Sequence, residues 1–183
     1  MKRVIRKKNI LAIIGSASSN SSNLSLVNKI AELTANDFNF TIFDRLSALP
    51  HFNPELSIGE TPQAVLDFRQ LILENDGLII CTPEYIFSIP SGLKNSIEWC
   101  VATTVFSRKP LGIITASANG QKGHEELKLI MRTVEANFTD TTTLLIQGIK
   151  GKIDVKGKIS DNKTKSDLKL FIESFKLLIN DGH

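Results

Sequence analysis

The hydrophobic positions of this chain follow two patterns that take turns along its length. Short apolar runs at Asn9–Ile14, Asn39–Phe43, Leu78–Cys81, Leu111–Ala116 and Thr141–Ile146 have the length and β-branched content of buried strands. Between them the apolar residues recur at helical spacing. Leu26, Val27, Ile30 and Leu33 make one stripe; Leu127, Ile130, Met131, Val134 and Phe138 make a second; Leu168, Phe171, Ile172, Phe175, Leu178 and Ile179 make a third. Each stripe is wide enough to bury one face of a helix. Two more helices are predicted from about Pro62 to Asn75 and from about Pro90 to Ala102, each opened by a proline whose missing N–H costs nothing there. Five strands alternating with five helices predict an α/β fold, a parallel sheet covered on both faces. Pro50–Glu60 and Gly148–Thr164 carry neither period and read as surface loops.

Composition narrows this picture. With 183 residues, 42% of them hydrophobic, the chain has material for one core and no room for a second, so residues 1–183 read as one domain. The net charge of +3 comes from 22 basic and 19 acidic residues, with the excess mainly at Lys2 to Lys8 and Lys150 to Lys165. That excess is too mild and scattered to predict a nucleic-acid partner. The basic head runs into Ile10–Ile14 without a cleavage pattern, so it reads as a strand and not as a signal peptide. No run approaches the ~20 apolar residues of a membrane span, and no membrane partner is expected. Cys81 and Cys100 make no disulfide framework, which makes the reducing cytoplasm the expected location. Without a secretory signal, the glycosylation tripeptides at Asn20, Asn23, Asn137 and Asn162 carry no weight. No Cys, His and carboxylate cluster has metal-ligand spacing.

In an open α/β sheet, ligands bind in loops leaving the carboxyl ends of the strands, and three loops qualify here. The first, Gly15 to Asn23, is rich in Ser and Asn and runs into a helix, so hydroxyls and free helix-start N–H groups can converge on an anion, most naturally a phosphate. It lacks the glycines of a dinucleotide fingerprint and the Gly-Lys-Ser/Thr of a P-loop. Its plainer reading is a helix cap. The second, Thr82 to Pro90, is stiffened by two prolines and sets Tyr85 beside Glu84, which suits a flat heteroaromatic ring; the alternative is that Tyr85 and Phe87 simply cover the sheet edge. The third, Ser117 to Gly123, is a strand-to-helix turn with two glycines.

Taken together, the first two loops resemble the NADPH-dependent FMN reductase family, whose members carry G-S-x-R-x-x-S-x-N after the first strand and P-E-Y-N-x-S-x-P-G-x-L-K-N-x-I-D-W after the third. The matching residues are Gly15, Ser16, Ser21 and Asn23, then Pro83, Glu84, Tyr85, Ser88, Pro90, Leu93, Lys94, Asn95, Ile97 and Trp99. Leu49-Pro50 before Phe52-Asn53 also resembles the family's loop after strand two, and the similarity spans roughly Ile10 to Phe138. The resemblance implies a flavodoxin-like three-layer α/β/α sandwich with a five-stranded parallel sheet in the order 2-1-3-4-5. It implies FMN as cofactor, its phosphate held by Ser16, Ser21 and Asn23 and its ring lined by Pro83, Glu84 and Tyr85, with Ser117 to Gly120 closing the other side. Ser22 and Ser88 complete the expected binding set.

Two departures from the family pattern matter. Ser18 stands where the family has Arg, which removes a charge-assisted bond that contributes ~1.5–3 kcal/mol; Ser18, Ser19 and Ser22 are expected to offset the loss. Ile86 stands where the family has Asn, beside the ring, and makes that loop more apolar. The implied activity is hydride transfer from NADPH or NADH to FMN and onward to a small acceptor such as a quinone, azo compound, metal ion or free flavin. Such chemistry resides in the cofactor, so no catalytic side chain is expected. Glu84 reads as a structural residue, and His51 in its loop and His124 at a helix start read as surface residues. The family also implies a homodimer or homotetramer, for which the apolar helix bearing Leu93, Ile97, Cys100 and Val101 is the candidate face. The alternative is a non-catalytic electron carrier or FMN-binding regulatory module, against which the basic charge argues, since carriers are commonly acidic.

Overall fold

The computed structural model describes residues 6–18, 21–154 and 157–181. Ser19 and Asn20 of the first loop lie outside them. Strands β1 (Lys8–Ile14), β2 (Phe38–Phe43), β3 (Gly77–Thr82), β4 (Leu111–Ser117) and β5 (Thr143–Gln147) alternate with helices α1 (Ser22–Leu33), α2 (Gln63–Glu74), α3 (Ser91–Glu98), α4 (Gln121–Thr133) and α5 (Asn162–Asp181). The strands form one parallel sheet in the order β2-β1-β3-β4-β5, as the family resemblance implied. Strand order reverses between β1 and β3, which opens a crevice at their carboxyl ends.

β3 and β4 are buried along their full length, because helices cover both faces. Ile10, Ala12 and Ile14 point to one side with α1 and α5. Leu11 and Ile13 point to the other with α2, α3 and α4. The period of two within β1 therefore serves two apolar layers.

Several expected elements end elsewhere. α3 stops at Glu98, and the chain leaves it in turns through Thr103. Pro62 and Pro90 occupy the N-cap positions of α2 and α3. Phe138 is not on α4, which ends at Thr133; the chain reverses at Glu135, in the left-handed region at φ 61°, and Phe138 packs under the guanidinium of Arg132 at 5.5 Å. The predicted start of β5 is a 3-10 turn, Asp140–Thr142, held by a capping box from Thr139. Leu33 closes the α1 stripe in sequence yet is 55% exposed.

The loop at Pro50–Glu60 is pinned by core side chains. Asn95 Nδ2 and Trp99 Nε1 both donate to Pro50 O, at 3.0 and 2.7 Å, and Phe52 N donates to Asn95 Oδ1 at 2.7 Å. Buried Arg69 donates to Ser57 O and Oγ and to Trp99 O. The matched Asn95 and Trp99 thus act in the framework, shaping the wall beside the strand ends.

Candidate functional site

The first loop leaves β1 at Gly15, whose N–H continues the sheet ladder to Cys81 O at 2.8 Å. A Cβ on Gly15 would stand 2.3 Å from Thr82 Oγ1, so only glycine lets the chain turn this close to β3. Ser16 Oγ accepts from Ser18 N at 3.2 Å and folds the loop back on itself. Ser21 is the N-cap of α1, its Oγ accepting from Leu24 N at 3.1 Å. The N–H groups of Ser22 and Asn23 belong to the first helical turn and have no intrahelical acceptor.

Asn23 is 4% exposed and its side chain is tied at both ends. Nδ2 donates to Ala116 O at 3.2 Å, and Oδ1 accepts from the Cys81 thiol at 3.3 Å. The start of α1 is therefore bolted to β3 and β4.

The second loop is a tight turn. Tyr85 and Ser88 exchange both backbone bonds, at 2.9 and 3.0 Å, around Ile86 (φ 50°) and Phe87 (φ 59°). Two adjacent left-handed residues are the geometry of a two-residue hairpin turn. Two carboxylates brace it against α4. Glu84 accepts from Gly120 N at 3.2 Å and Gly123 N at 2.8 Å; Glu126 accepts from Ser88 Oγ at 2.7 Å and Ile89 N at 3.0 Å. Gly120 sits at φ 90° as the N-cap of α4, a conformation that favours glycine. Ser117 Oγ donates to Glu84 O at 3.5 Å.

A cavity of about 610 Å³ opens at the carboxyl ends of β1, β3 and β4, within the range of small-molecule sites. Of the predicted residues, Ser16, Ser18, Ser21, Ser22, Asn23, Pro83, Glu84, Tyr85 and Ser117 line it. Ile86 and Ser88 line a separate hollow with His51 and Lys94, and Gly120 is buried behind the wall, holding Glu84. Tyr85 stands where three hollows meet, the third reaching Asp44, His51 and Asn95; its hydroxyl lies 3.5 Å from Ser16 Oγ. A groove of 640 Å³ between α1 and α5, apolar with a lysine rim, lies on the flank of the sheet and holds none of these residues.

The fourth wall of the cavity was not foreseen. Gly148–Gly151, assigned to a surface loop by its lack of period, lines the cavity directly. The available signal was position: the segment follows β5 and so also leaves a strand's carboxyl end.

Burial holds the titratable groups Cys81, Cys100 and His124 toward their neutral forms. His124, expected at the surface, is instead 8% exposed because α4 packs it on β4; burial, reinforced by Lys128, pulls it down to about 4, leaving a neutral ring whose Nδ1 lies 2.9 Å from Thr115 Oγ1. Burial pushes the Cys81 thiol up, and raises Cys100 to about 12 against the opposing pull of Arg69. Among the described residues no group of three His, Cys, Asp or Glu is placed to hold a metal ion, and no helix is long and apolar enough to cross a membrane. What remains is a cradle of hydroxyl and amide donors beside a flat, stiffened wall. This donor set fits a phosphate monoester carrying a planar ring, as FMN does.

Comparison with known proteins agrees. The family model described as NADPH-dependent FMN reductase matches residues 8–149. A 2-hydroxy-1,4-benzoquinone reductase of Burkholderia sp is 27% identical over 94% of this chain and 96% of the relative. An NADPH:quinone oxidoreductase of Arabidopsis thaliana is 31% identical over 72% of each. Among solved structures, a flavoenzyme NAD(P)H:(acceptor) oxidoreductase from Paracoccus denitrificans superposes with a TM-score of 0.80 at 24% identity, covering 96% of this chain and 98% of its own.

Proposed function

Because the chain belongs to the NADPH-dependent FMN reductase family, we propose that it is an FMN-dependent NAD(P)H oxidoreductase that reduces a small acceptor, with a quinone as the first candidate. The observation that carries the reading is one of convergence. The Ser16–Asn23 and Pro83–Tyr85 segments, far apart in sequence, wall a single cavity at the point where strand order reverses.

In this reading Ser16, Ser18, Ser21 and Ser22 offer hydroxyls to the phosphate, and Asn23 offers its backbone N–H, its side chain being committed to Ala116 and Cys81. Pro83, Glu84 and Tyr85 present backbone and ring surface to the flat part of the cofactor. Ser117 closes the opposite side. Bound FMN would supply the redox chemistry, accepting a hydride from NADPH or NADH and returning the electrons to the acceptor. The protein's part is to hold, orient and exclude water, and none of the side chains described is assigned a proton transfer. Glu84 is assigned a bracing role, its two carboxylate oxygens each accepting an N–H at the start of α4.

The names of the relatives favour quinones; an azo compound, metal ion or free flavin would use the same space. Leu93, Ile97, Trp99 and Cys100 are buried in the chain's own core, leaving Val101 exposed. The face expected to pair two copies is therefore spent within one chain, and a homodimer or homotetramer would need another surface, such as the exposed Ile86–Phe87 tip. The two free, buried cysteines suit the reducing cytoplasm.

The test is steady-state kinetics with a nicotinamide and a benzoquinone. Donor and acceptor that take turns in one space give parallel double-reciprocal lines; intersecting lines would contradict the shared site.

A further inference from the structure

Of the residues that line the main cavity, two carry a formal charge, Glu84 and Lys150. They are not equivalent. The Glu84 carboxylate is engaged by the N–H groups of Gly120 and Gly123, whereas the Lys150 ammonium makes no hydrogen bond or ion pair with any described residue. The uncommitted charge of the cavity is thus positive.

The fold puts that charge there by construction. β5 pairs with β4 as far as Gln147, opposite Ser117. Gly148 then turns through the left-handed region at φ 64° and donates its N–H to Ala118 O at 3.0 Å. A 3-10 turn over Ile149–Gly151 follows, closed by Gly151 N on Gly148 O at 3.1 Å. Buried Ile149 anchors the turn to the core, so the next residue, Lys150, is held at the exposed mouth of the cavity.

The loop after β1, separated from β5 by β3 and β4, offers neutral donors to the same cavity: the hydroxyls of Ser16, Ser18 and Ser21 and the first-turn N–H groups of α1. Such donors satisfy the oxygens of an anion but leave most of its charge unbalanced, and a cation within reach shortens and strengthens the contact. We propose that Lys150 is the phosphate counter-ion of this site, closing over the FMN phosphate from the wall opposite the serine loop. This rests on the FMN reading above and extends it to a residue just past the segment that the family model matches.

The experiment compares FMN with riboflavin, which shares the ring and lacks the phosphate, by fluorescence titration of the apoprotein. Lys150→Ala should weaken FMN about ten-fold, the size of one charge-assisted bond discounted for exposure, and leave riboflavin within about two-fold. Lys150→Arg should keep FMN near wild type. In the Lys150→Ala background, Ser18→Arg places a cation on the opposite wall and should restore FMN selectively. Added salt should weaken FMN in the wild type more than in Lys150→Ala. Equal loss of FMN and riboflavin in Lys150→Ala would mean that the residue shapes the turn, and would overturn the assignment; so would an unchanged FMN affinity. A wild-type protein that binds both flavins equally is a separate outcome, which overturns the phosphate reading of the whole cavity and this proposal with it.

Discussion

Glu84 shows how a residue that invites a catalytic role can be given a structural one by its neighbours. Its carboxylate caps the start of α4, so Glu84→Ala strands two buried-side N–H groups and should cost ~1–2 kcal/mol of stability, read as a lowered urea midpoint with FMN affinity falling alongside. A rate loss of ~10²–10⁴ at unchanged stability would instead mark a general acid. Tyr85 is tested the same way. Its hydroxyl makes one long contact to Ser16, so Tyr85→Phe should leave both FMN affinity and the rate of flavin reduction nearly unchanged, whereas Tyr85→Gly should loosen the loop and weaken FMN. At this scale the sequence is only partly legible. Residues of the first two loops share one cavity, but the spacing that nominates Asn23 does not reveal that its side chain braces α1 on β3 and β4. That role depends on Ala116 and Cys81, which are remote in sequence.

Two elements carry strain or charge that can be measured. The Tyr85–Ser88 turn places Ile86 at φ 50° and 95% exposed, a conformation costing ~1–2 kcal/mol for an ordinary L-residue and less for Asn. Ile86→Asn should therefore raise the thermal midpoint, by about 1 kcal/mol of stability; a lowered midpoint would mean that the exposed Ile side chain is held by a contact on this surface. The start of α4 holds His124, whose pKa burial draws down to about 4. The unfolded chain takes up this proton as pH falls through about 6.5, the folded chain only near 4, so the unfolded state binds more protons between those values. The histidine's contribution is full above about pH 6.5 and is lost as pH falls through about 4. Urea titrations across that window should show a shallower loss for His124→Gln than for the wild type, and identical slopes would contradict the assignment. Strands were legible to within a residue or two because their apolar runs are uninterrupted. Helix ends were not: the stripe through Val134 and Phe138 keeps helical spacing, and only the left-handed Glu135 breaks it.

At the scale of the whole molecule, alternating periods and short connections were enough to read a parallel sheet with helices on both faces, and the motif resemblance supplied the strand order. The cavity's fourth wall escaped because Gly148–Gly151 has no period and no motif; it joins the site only through Gly148 pairing with Ala118 and the register of β5 on β4. If these four walls hold FMN in reach of a nicotinamide, anaerobic absorbance of the FMN-loaded protein will register it on adding NADPH or NADH with no partner protein and no acceptor. The flavin band should bleach and return when a quinone is added. A yellow colour that persists with both nicotinamides would show that the protein carries flavin without reducing it, and would contradict the assigned activity.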